Sequence, residues 1–271
     1  MIRPQLSFAL LNYNEQGTVE SAARRASRAL AACGRTYELV LVDDGSTDGS
    51  GDILRRLAEE LPHCRTIFHG ENRGIGAGIR TCYFSTVGEW TTWFPADLQA
   101  DPDELPRLLD CLDDCDALLT YRRPQARRVS PVRKLVSSCD RLLVRALFGI
   151  AARDLHWIRF FRRDLLDRLE PRLCSPAIDT EMLAAAVRLG ARIRQEPLDE
   201  SPRTSGVARG ASLGNLLGAA RETLLLRLRG PGLREAVLNG ERAESPARAT
   251  ARDASAPSPI ALAEKSVTTR T

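Results

Sequence analysis

Two adjacent carboxylates at the end of an apolar run are the first place where this sequence could do chemistry. In YELVLVDDGSTDGS, residues 37–50, the run of residues 39–42 stops at Asp43 and Asp44. Gly45, Ser46, Thr47, Asp48 and Gly49 then make a turn before a helical pattern begins. Strand ends of open parallel sheets are where α/β proteins bind ligands, and two acids beside small hydroxyl residues suit hydrogen bonds to a ribose and a base. An earlier apolar run ends in Asn12-Tyr13-Asn14-Glu15, where the acid also suits the positive end of a helix. A third stretch is Asn72-Arg73-Gly74-Ile75-Gly76-Ala77-Gly78. Glycines there let a backbone approach phosphates, and the helix start that follows favours anions. A dinucleotide fingerprint would follow the first strand, where this chain carries Asn-Tyr-Asn-Glu instead. The fourth stretch is Pro95-Ala96-Asp97-Leu98-Gln99-Ala100-Asp101-Pro102. A helix cap accounts for Asp101 and Pro102, but not for Asp97 or Gln99.

Those residues need strands that end where they stand. Residues 5–11, 37–42, 65–69, 90–94 and 116–120 read as five strands. Helical periodicity fills the gaps: Val19, Ala22, Ala23, Ala26 and Leu30 after a capping Thr18; Ile53, Leu54, Leu57 and Leu61; a helix after the glycine run; and residues 104–112. Strands alternating with helices imply a mostly parallel sheet with right-handed crossovers. The second half changes character. Residues 131–148 form an amphipathic helix, with Val132, Leu135, Val136, Cys139, Leu142, Leu143, Ala146 and Leu147 on one broad face and Arg133, Lys134, Arg141 and Arg145 on much of the rest. A helix from Ser175-Pro176 to Gly190, a short strand over 191–197 and a helix over about 212–229 follow. Beyond about residue 240 the Ala, Ser, Pro, Arg and Thr content is that of a disordered tail.

Composition excludes several classes. The 271 residues can bury one sizeable core, and 43% hydrophobic with 27% charged residues is ordinary for a globular protein. A net charge of +4 is too mild to argue for nucleic acid. Basic residues are nearly all arginine, with lysine only at 134 and 265, which suits bidentate phosphate contacts. Seven scattered cysteines without a CxxC pair, and three histidines, argue against a disulfide scaffold or a zinc site. A reducing, cytoplasmic setting is expected, with no signal peptide and no transmembrane helix, so membrane contact would be peripheral, on the inner face.

The motifs together, over roughly residues 5–210, resemble family 2 glycosyltransferases of the GT-A fold, and in particular the dolichol-phosphate mannose synthases and other polyprenyl-phosphate glycosyltransferases. Residues 12–15 cover the last part of that family's P-x-Y-N-E loop, with Leu11 in place of proline, and 72–78 resemble its N-x-G-x-G-x-A loop. Residues 95–99 resemble D-A-D-L-Q, with Pro95 replacing the first aspartate. Residues 153–163 approximate D-x-x-x-G-F-[KR]-x-F-[RK], lacking the glycine. Ile178-Asp179-Thr180-Glu181 resembles [FD]-x-x-E, and Glu196-Pro197 with Arg203, Ser205 and Gly206 resembles the closing loop. The resemblance implies a nucleotide-sugar site of Tyr13, Glu15, Asp43, Asp44, Arg73, Gly74, Asp97, Arg122 and Arg203. It implies Mg²⁺ or Mn²⁺ at Asp97 and Gln99, weakened or optional because of Pro95. Asp97, Arg159 and Glu181 would be the catalytic groups, and Arg122, Arg159 and Arg162 candidates for phosphate.

The reaction so implied is an inverting transfer from a GDP- or UDP-linked sugar. A polyprenyl phosphate is the favoured acceptor, because a phosphate near its dianionic form at pH 7 needs no general base and no histidine is placed to be one. The helix over 131–148 would lie against the membrane surface. A soluble natural-product or saccharide hydroxyl as acceptor, and a non-catalytic nucleotide-sugar-binding protein, are the alternatives. The expected organisation is a GT-A domain over 1–210, a helical extension over 211–240 and a tail over 241–271.

Overall fold

The computed structural model describes residues 3–123, 131–201, 221–228 and 230, with side chains in the helix after residue 130 described from Ser137 onward. Strand β1 (Leu6–Asn12), helix α1 (Val19–Ala32), β2 (Tyr37–Asp43), α2 (Ser50–Glu60), β3 (Cys64–Phe68), α3 (Ile75–Phe84) and β4 (Trp90–Pro95) alternate along the first part of the chain. A 3-10 turn (Pro102–Glu104), α4 (Leu105–Leu109), β5 (Ala117–Tyr121), α5 (Pro131–Phe148), β6 (Arg159–Arg162), α6 (Arg163–Leu166), α7 (Ile178–Arg188) and β7 (Ile193–Pro197) follow. The seven strands form one sheet in the order β3-β2-β1-β4-β6-β5-β7. All pairings are parallel except those of β6, which runs antiparallel between β4 and β5. The expected α/β sheet is therefore present, with one strand that periodicity does not reveal.

Strand alternation divides the core in two. Leu6, Phe8, Leu10, Leu39 and Leu41 face α1, α2 and α4 on one side, and Ala9, Leu11, Val40 and Val42 face α3 and α7 on the other. The apolar stripe of α1 is buried as its spacing requires. Thr18 stands at the N-cap of α1 but does not cap it: its hydroxyl donates to the Glu15 carbonyl at 3.3 Å. Asp101 does cap, accepting from the Asp103 N–H at 2.9 Å. Short β6 places Phe160 in one core and Phe161 in the other, both fully buried, which explains why two consecutive aromatics stand between arginines.

Helix α5 spans the expected residues, and the described part of its expected apolar face is only partly covered, with Leu143 and Leu147 half-buried. Val144 is buried, whereas Leu142 is 68% exposed and Cys139 and Ala146 are exposed. Residues 221–228 are helical; the rest of the helix expected over 212–229, Arg203, Ser205, Gly206, the boundary near 210 and the tail lie outside the described residues. Among the described residues no helix is long and apolar enough to cross a membrane.

Candidate active site

The loops after β1 and β2 are locked together by their own polar groups. Asn12 and Asp43 are register partners at the ends of their strands, and Asn12 Nδ2 donates to Asp43 Oδ1 at 2.7 Å. Ser46 closes the turn, its Oγ donating to Asp43 Oδ1 at 2.6 Å and its N–H to Oδ2 at 3.0 Å. The same Oγ accepts from Asn12 Nδ2 and the Asn14 N–H, while Asn14 Oδ1 accepts from the Thr47 N–H at 2.8 Å. Asp48 accepts from the Gln16 and Ser50 N–H groups, and although its partial burial opposes ionisation, these bonds and the Ser50 hydroxyl hold its carboxyl below the usual range. Gly45 has φ +72°, and a Cβ there would lie 2.3 Å from the Glu71 carbonyl carbon, so only glycine lets the next loop pass.

That next loop is held by Asp44, which is 3% exposed. Its Oδ1 accepts from the Arg73 N–H at 3.0 Å and faces His69 Nδ1 at 2.7 Å; its Oδ2 accepts from the Gly74 N–H at 3.0 Å and Asn72 Nδ2 at 3.2 Å. An ionised carboxylate offers about four lone-pair positions, so Asp44 is saturated by its own chain while Asp43 accepts three bonds. The expectation that both acids hold nucleoside therefore needs revising on geometry: Asp44 orders the 69–74 loop, and Asp43 is the one with acceptor capacity left. The glycine run divides in the same way. A Cβ at Gly76 would meet the Cys174 carbonyl at 2.3 Å, and one at Gly78 would meet Leu11 Cδ1 at 2.7 Å, so these two serve packing. Gly74, φ +86°, at the N-cap of α3, has open space around it. Close approach of a phosphate is thus confined to Gly74 and the first turn of α3, beside exposed Arg73. Tyr13 and Glu15 are half-buried in the β1 loop.

After β4, Asp97 is 5% exposed and its Oδ1 accepts from the Gln99 N–H at 3.0 Å, with Leu98 between them at φ +60°. A leucine in left-handed backbone is strained by roughly 1–2 kcal/mol, and such strain collects at functional loops. Asp97 and Gln99 supply one carboxylate and one amide. Among the described residues no cluster of three metal-binding side chains exists. This donor set fits a hard cation that takes most of its ligands from phosphate oxygens and water, as Mg²⁺ does.

On the far wall Arg122 pairs with Asp154 through Nε at 2.7 Å and lies over the Trp157 ring, its carbon 4.7 Å from the ring centre. Burial works against ionisation of Asp154, but the Arg122 guanidinium outweighs it and holds the carboxyl below its usual range. Behind it, His156 Nε2 lies 3.0 Å from Asp140 and Nδ1 lies 3.9 Å from Asp179. Burial pulls the His156 imidazole down, but hydrogen bonds to Asp140 and Asp179 push it up to about 9. The side chain is 39% exposed, so solvent screens part of that effect.

Three expected site residues are used by the fold instead. Arg159 is 1% exposed; it donates to the Asp179 and Leu155 carbonyls and pairs with the Asp179 carboxylate at 3.4 Å. Arg162, at the other end of antiparallel β6, pairs in register with Trp90 at the start of β4, donates to the Cys115 carbonyl and is carried away from the site edge. Glu181, 1% exposed, accepts from the Arg172 and Leu173 N–H groups at 2.9 Å. Sequence reasoning missed Asp154 and Glu200. Asp154 had a signal in the approximate D-x-x-x-G-F match; Glu200, 2.8 Å from Gln99 Nε2, had none.

The same arrangement of strands recurs in solved GT-A enzymes. Glucosyl-3-phosphoglycerate synthase from Mycobacterium tuberculosis, in complex with Mn²⁺, UDP and phosphoglyceric acid, matches with a TM-score of 0.63 at 22% identity over 83% of this chain and 78% of that one. Its complex with Mg²⁺ and UDP gives 0.62 at 21% over 83% and 79%. The fold is thus that of the GT-A nucleotide-diphospho-sugar transferases. Residues 7–170 match the family model of glycosyl transferase family 2, and the chain belongs to that family. Among curated relatives, an undecaprenyl-phosphate 4-deoxy-4-formamido-L-arabinose transferase of Klebsiella pneumoniae (strain 342) is 33% identical over 168 residues, 61% of this chain and 51% of the relative. One from Salmonella paratyphi B is 32% identical over the same shares. The chain spans about half the length of the curated relatives it matches.

Proposed function

We propose that this chain transfers a sugar from a nucleoside diphosphate sugar, UDP- or GDP-linked, to a polyprenyl phosphate, with inversion. The observation that carries the choice of acceptor is the state of the histidines. His156 sits between the Asp140 and Asp179 carboxylates, which favour its imidazolium, His69 is locked between Asp44 and Thr81, and His63 is exposed at the edge of Tyr37. None is suited to take a proton from a hydroxyl. A phosphate monoester, with its second pKa near 6, arrives already ionised. The likeness to undecaprenyl-phosphate transferases points the same way.

In this reading Tyr13, Glu15 and Asp43 receive the nucleoside, while Arg73, Gly74 and the start of α3 face the diphosphate. Arg122 lends positive charge at the far wall. Asp97 and Gln99 would hold Mg²⁺ or Mn²⁺. The cation would supply charge stabilisation for the leaving diphosphate. Arg203, outside the described residues, belongs to the segment that resembles the family's closing loop and would serve the same group. The attacking phosphate oxygen bonds to the anomeric carbon as the bond to the nucleoside diphosphate breaks, and the leaving oxygen keeps the electron pair.

Exposed leucines on α5 and on residues 221–228 support peripheral membrane contact. Leu142 and, on residues 221–228, Leu224 (49% exposed) and Leu228 (82% exposed) are exposed, as are Arg145 and Arg227 on the same two segments. Exposed apolar side chains on helices that also expose arginines suit an anionic lipid surface. The test is thermal stability against UDP-, GDP- and dTDP-sugars with and without Mn²⁺, since a ligand of the folded state raises the melting temperature by mass action. A rise with one nucleotide class is expected; no rise with any of them refutes the reading.

A further inference from the structure

The segment after β7 reaches across to the loop that carries Asp97 and Gln99. Ala100 and Glu200 form an isolated antiparallel bridge, and the Ser201 N–H donates to the Gln99 carbonyl at 2.8 Å. At the tip of this contact Gln99 Nε2 donates to Glu200 Oε1 at 2.8 Å. That same Oε1 lies 3.8 Å from Arg122 Nη1, so one carboxylate touches both walls of the candidate site.

We propose that Glu200 is a positioning residue for the divalent cation: by holding the Gln99 amide nitrogen it presents the amide oxygen as the ligand. The inference rests on the reading of Asp97 and Gln99 as the cation's protein ligands. An amide group is nearly symmetric in shape, and either end can face a given neighbour. A carboxylate partner removes that freedom, because an ionised carboxylate only accepts hydrogen bonds. The nitrogen must face Glu200 and the oxygen must turn away from it. With Pro95 where a second aspartate would stand, an amide oxygen is half of the protein's contribution. An amide turned the wrong way would set N–H groups against the cation. Partners that orient metal ligands typically matter by about 10–100-fold in affinity. The Arg122 guanidinium, 3.8 Å from the same carboxylate oxygen, couples the cation site to the opposite wall.

The experiment is Mn²⁺ titration of the full chain by electron paramagnetic resonance, in the presence of UDP and, in a parallel arm, GDP. The variants are Asp97→Asn, Gln99→Ala, Glu200→Gln and the double variant Gln99→Ala/Glu200→Gln, with melting temperature recorded for each. Glu200→Gln keeps size and can still hydrogen-bond, but lets the pair of amides face either way. The expected result is a loss of about tenfold in Mn²⁺ affinity for Glu200→Gln at nearly unchanged melting temperature, and no further loss when it is added to Gln99→Ala. Additive losses in the double variant, or unchanged affinity in Glu200→Gln while Asp97→Asn and Gln99→Ala both lose it, overturn the role of Glu200 alone. Unchanged affinity in Asp97→Asn and Gln99→Ala, or no Mn²⁺ binding by the wild-type chain in either arm, overturns the cation site itself and the proposal with it.

Discussion

Replacing Asp44 by asparagine separates a loop-ordering acid from a ligand-gripping one. The carboxylate accepts four hydrogen bonds, two of them from the backbone N–H groups of Arg73 and Gly74. Asparagine has one oxygen to offer, and its NH₂ must face two of the four donors. The Asn72 amide can turn over and His69 can shift its proton to Nε2 towards Thr81, but a backbone N–H cannot become an acceptor. One of the two backbone donors is therefore stranded whichever way the new side chain turns, at about 1–3 kcal/mol. The remaining bonds lose their charge, at about 1 kcal/mol each for two or three bonds. The sum is about 3–6 kcal/mol, a large fraction of the roughly 5–15 kcal/mol that holds a domain together. Urea unfolding with an unchanged m value reads it directly. A destabilisation below about 1 kcal/mol, with nucleotide binding lost, would refute the assignment of Asp44 to the loop and restore it to the ligand.

Three further outcomes follow from the same geometry. Gly76→Ala places a methyl 2.3 Å from the Cys174 backbone, where no rotamer change relieves it, so a melting temperature well below that of Gly70→Ala, whose Cβ meets nothing within 4 Å, is expected; equal losses would contradict the packing role. Arg122→Ala takes its guanidinium from the half-buried Asp154 carboxylate, which keeps only the His156 N–H, and should cost about 1–3 kcal/mol, whereas Arg123→Ala, whose pair with Asp199 is exposed, should cost about 0–1 kcal/mol; a larger loss for Arg123→Ala in urea titrations would contradict this. The His156 imidazolium is favoured in the folded protein, with its pKa raised from 6.5 to about 9. Its stabilising contribution is thus full below about pH 6.5 and is lost as pH rises through about 9. The wild-type advantage in melting temperature over His156→Gln should shrink between pH 7 and pH 10, and a constant difference would sink the assignment.

Much of the fold was legible because the first strands alternate with helices that carry clear apolar stripes. The ends of β1, β2 and β4 carry the polar residues that mark the site, and their order on the sheet follows from right-handed crossovers. Antiparallel β6 was hidden because four residues, two of them arginines, carry no periodic signal, and its direction is what removes Arg162 from the site. Arg159 and Glu181 read as chemistry because a charged side chain is normally exposed; only the folded chain reveals carbonyls and N–H groups waiting to use them. Asp44 and the glycines at 76 and 78 lie in the right place but answer to the chain itself. Glu200 was out of reach because its contact spans a hundred residues of sequence.

The most direct test of the proposed reaction is transfer itself. The full chain is mixed with Mn²⁺, a panel of UDP- and GDP-sugars and undecaprenyl phosphate in vesicles containing anionic lipid. The lipid extract and the aqueous phase are then analysed by mass spectrometry. The predicted result is a polyprenyl phosphate heavier by one sugar, formed together with an equal amount of nucleoside diphosphate and abolished in Asp97→Asn. Sugar appearing only on a soluble acceptor, or intact nucleotide sugar with every lipid phosphate offered, would contradict it.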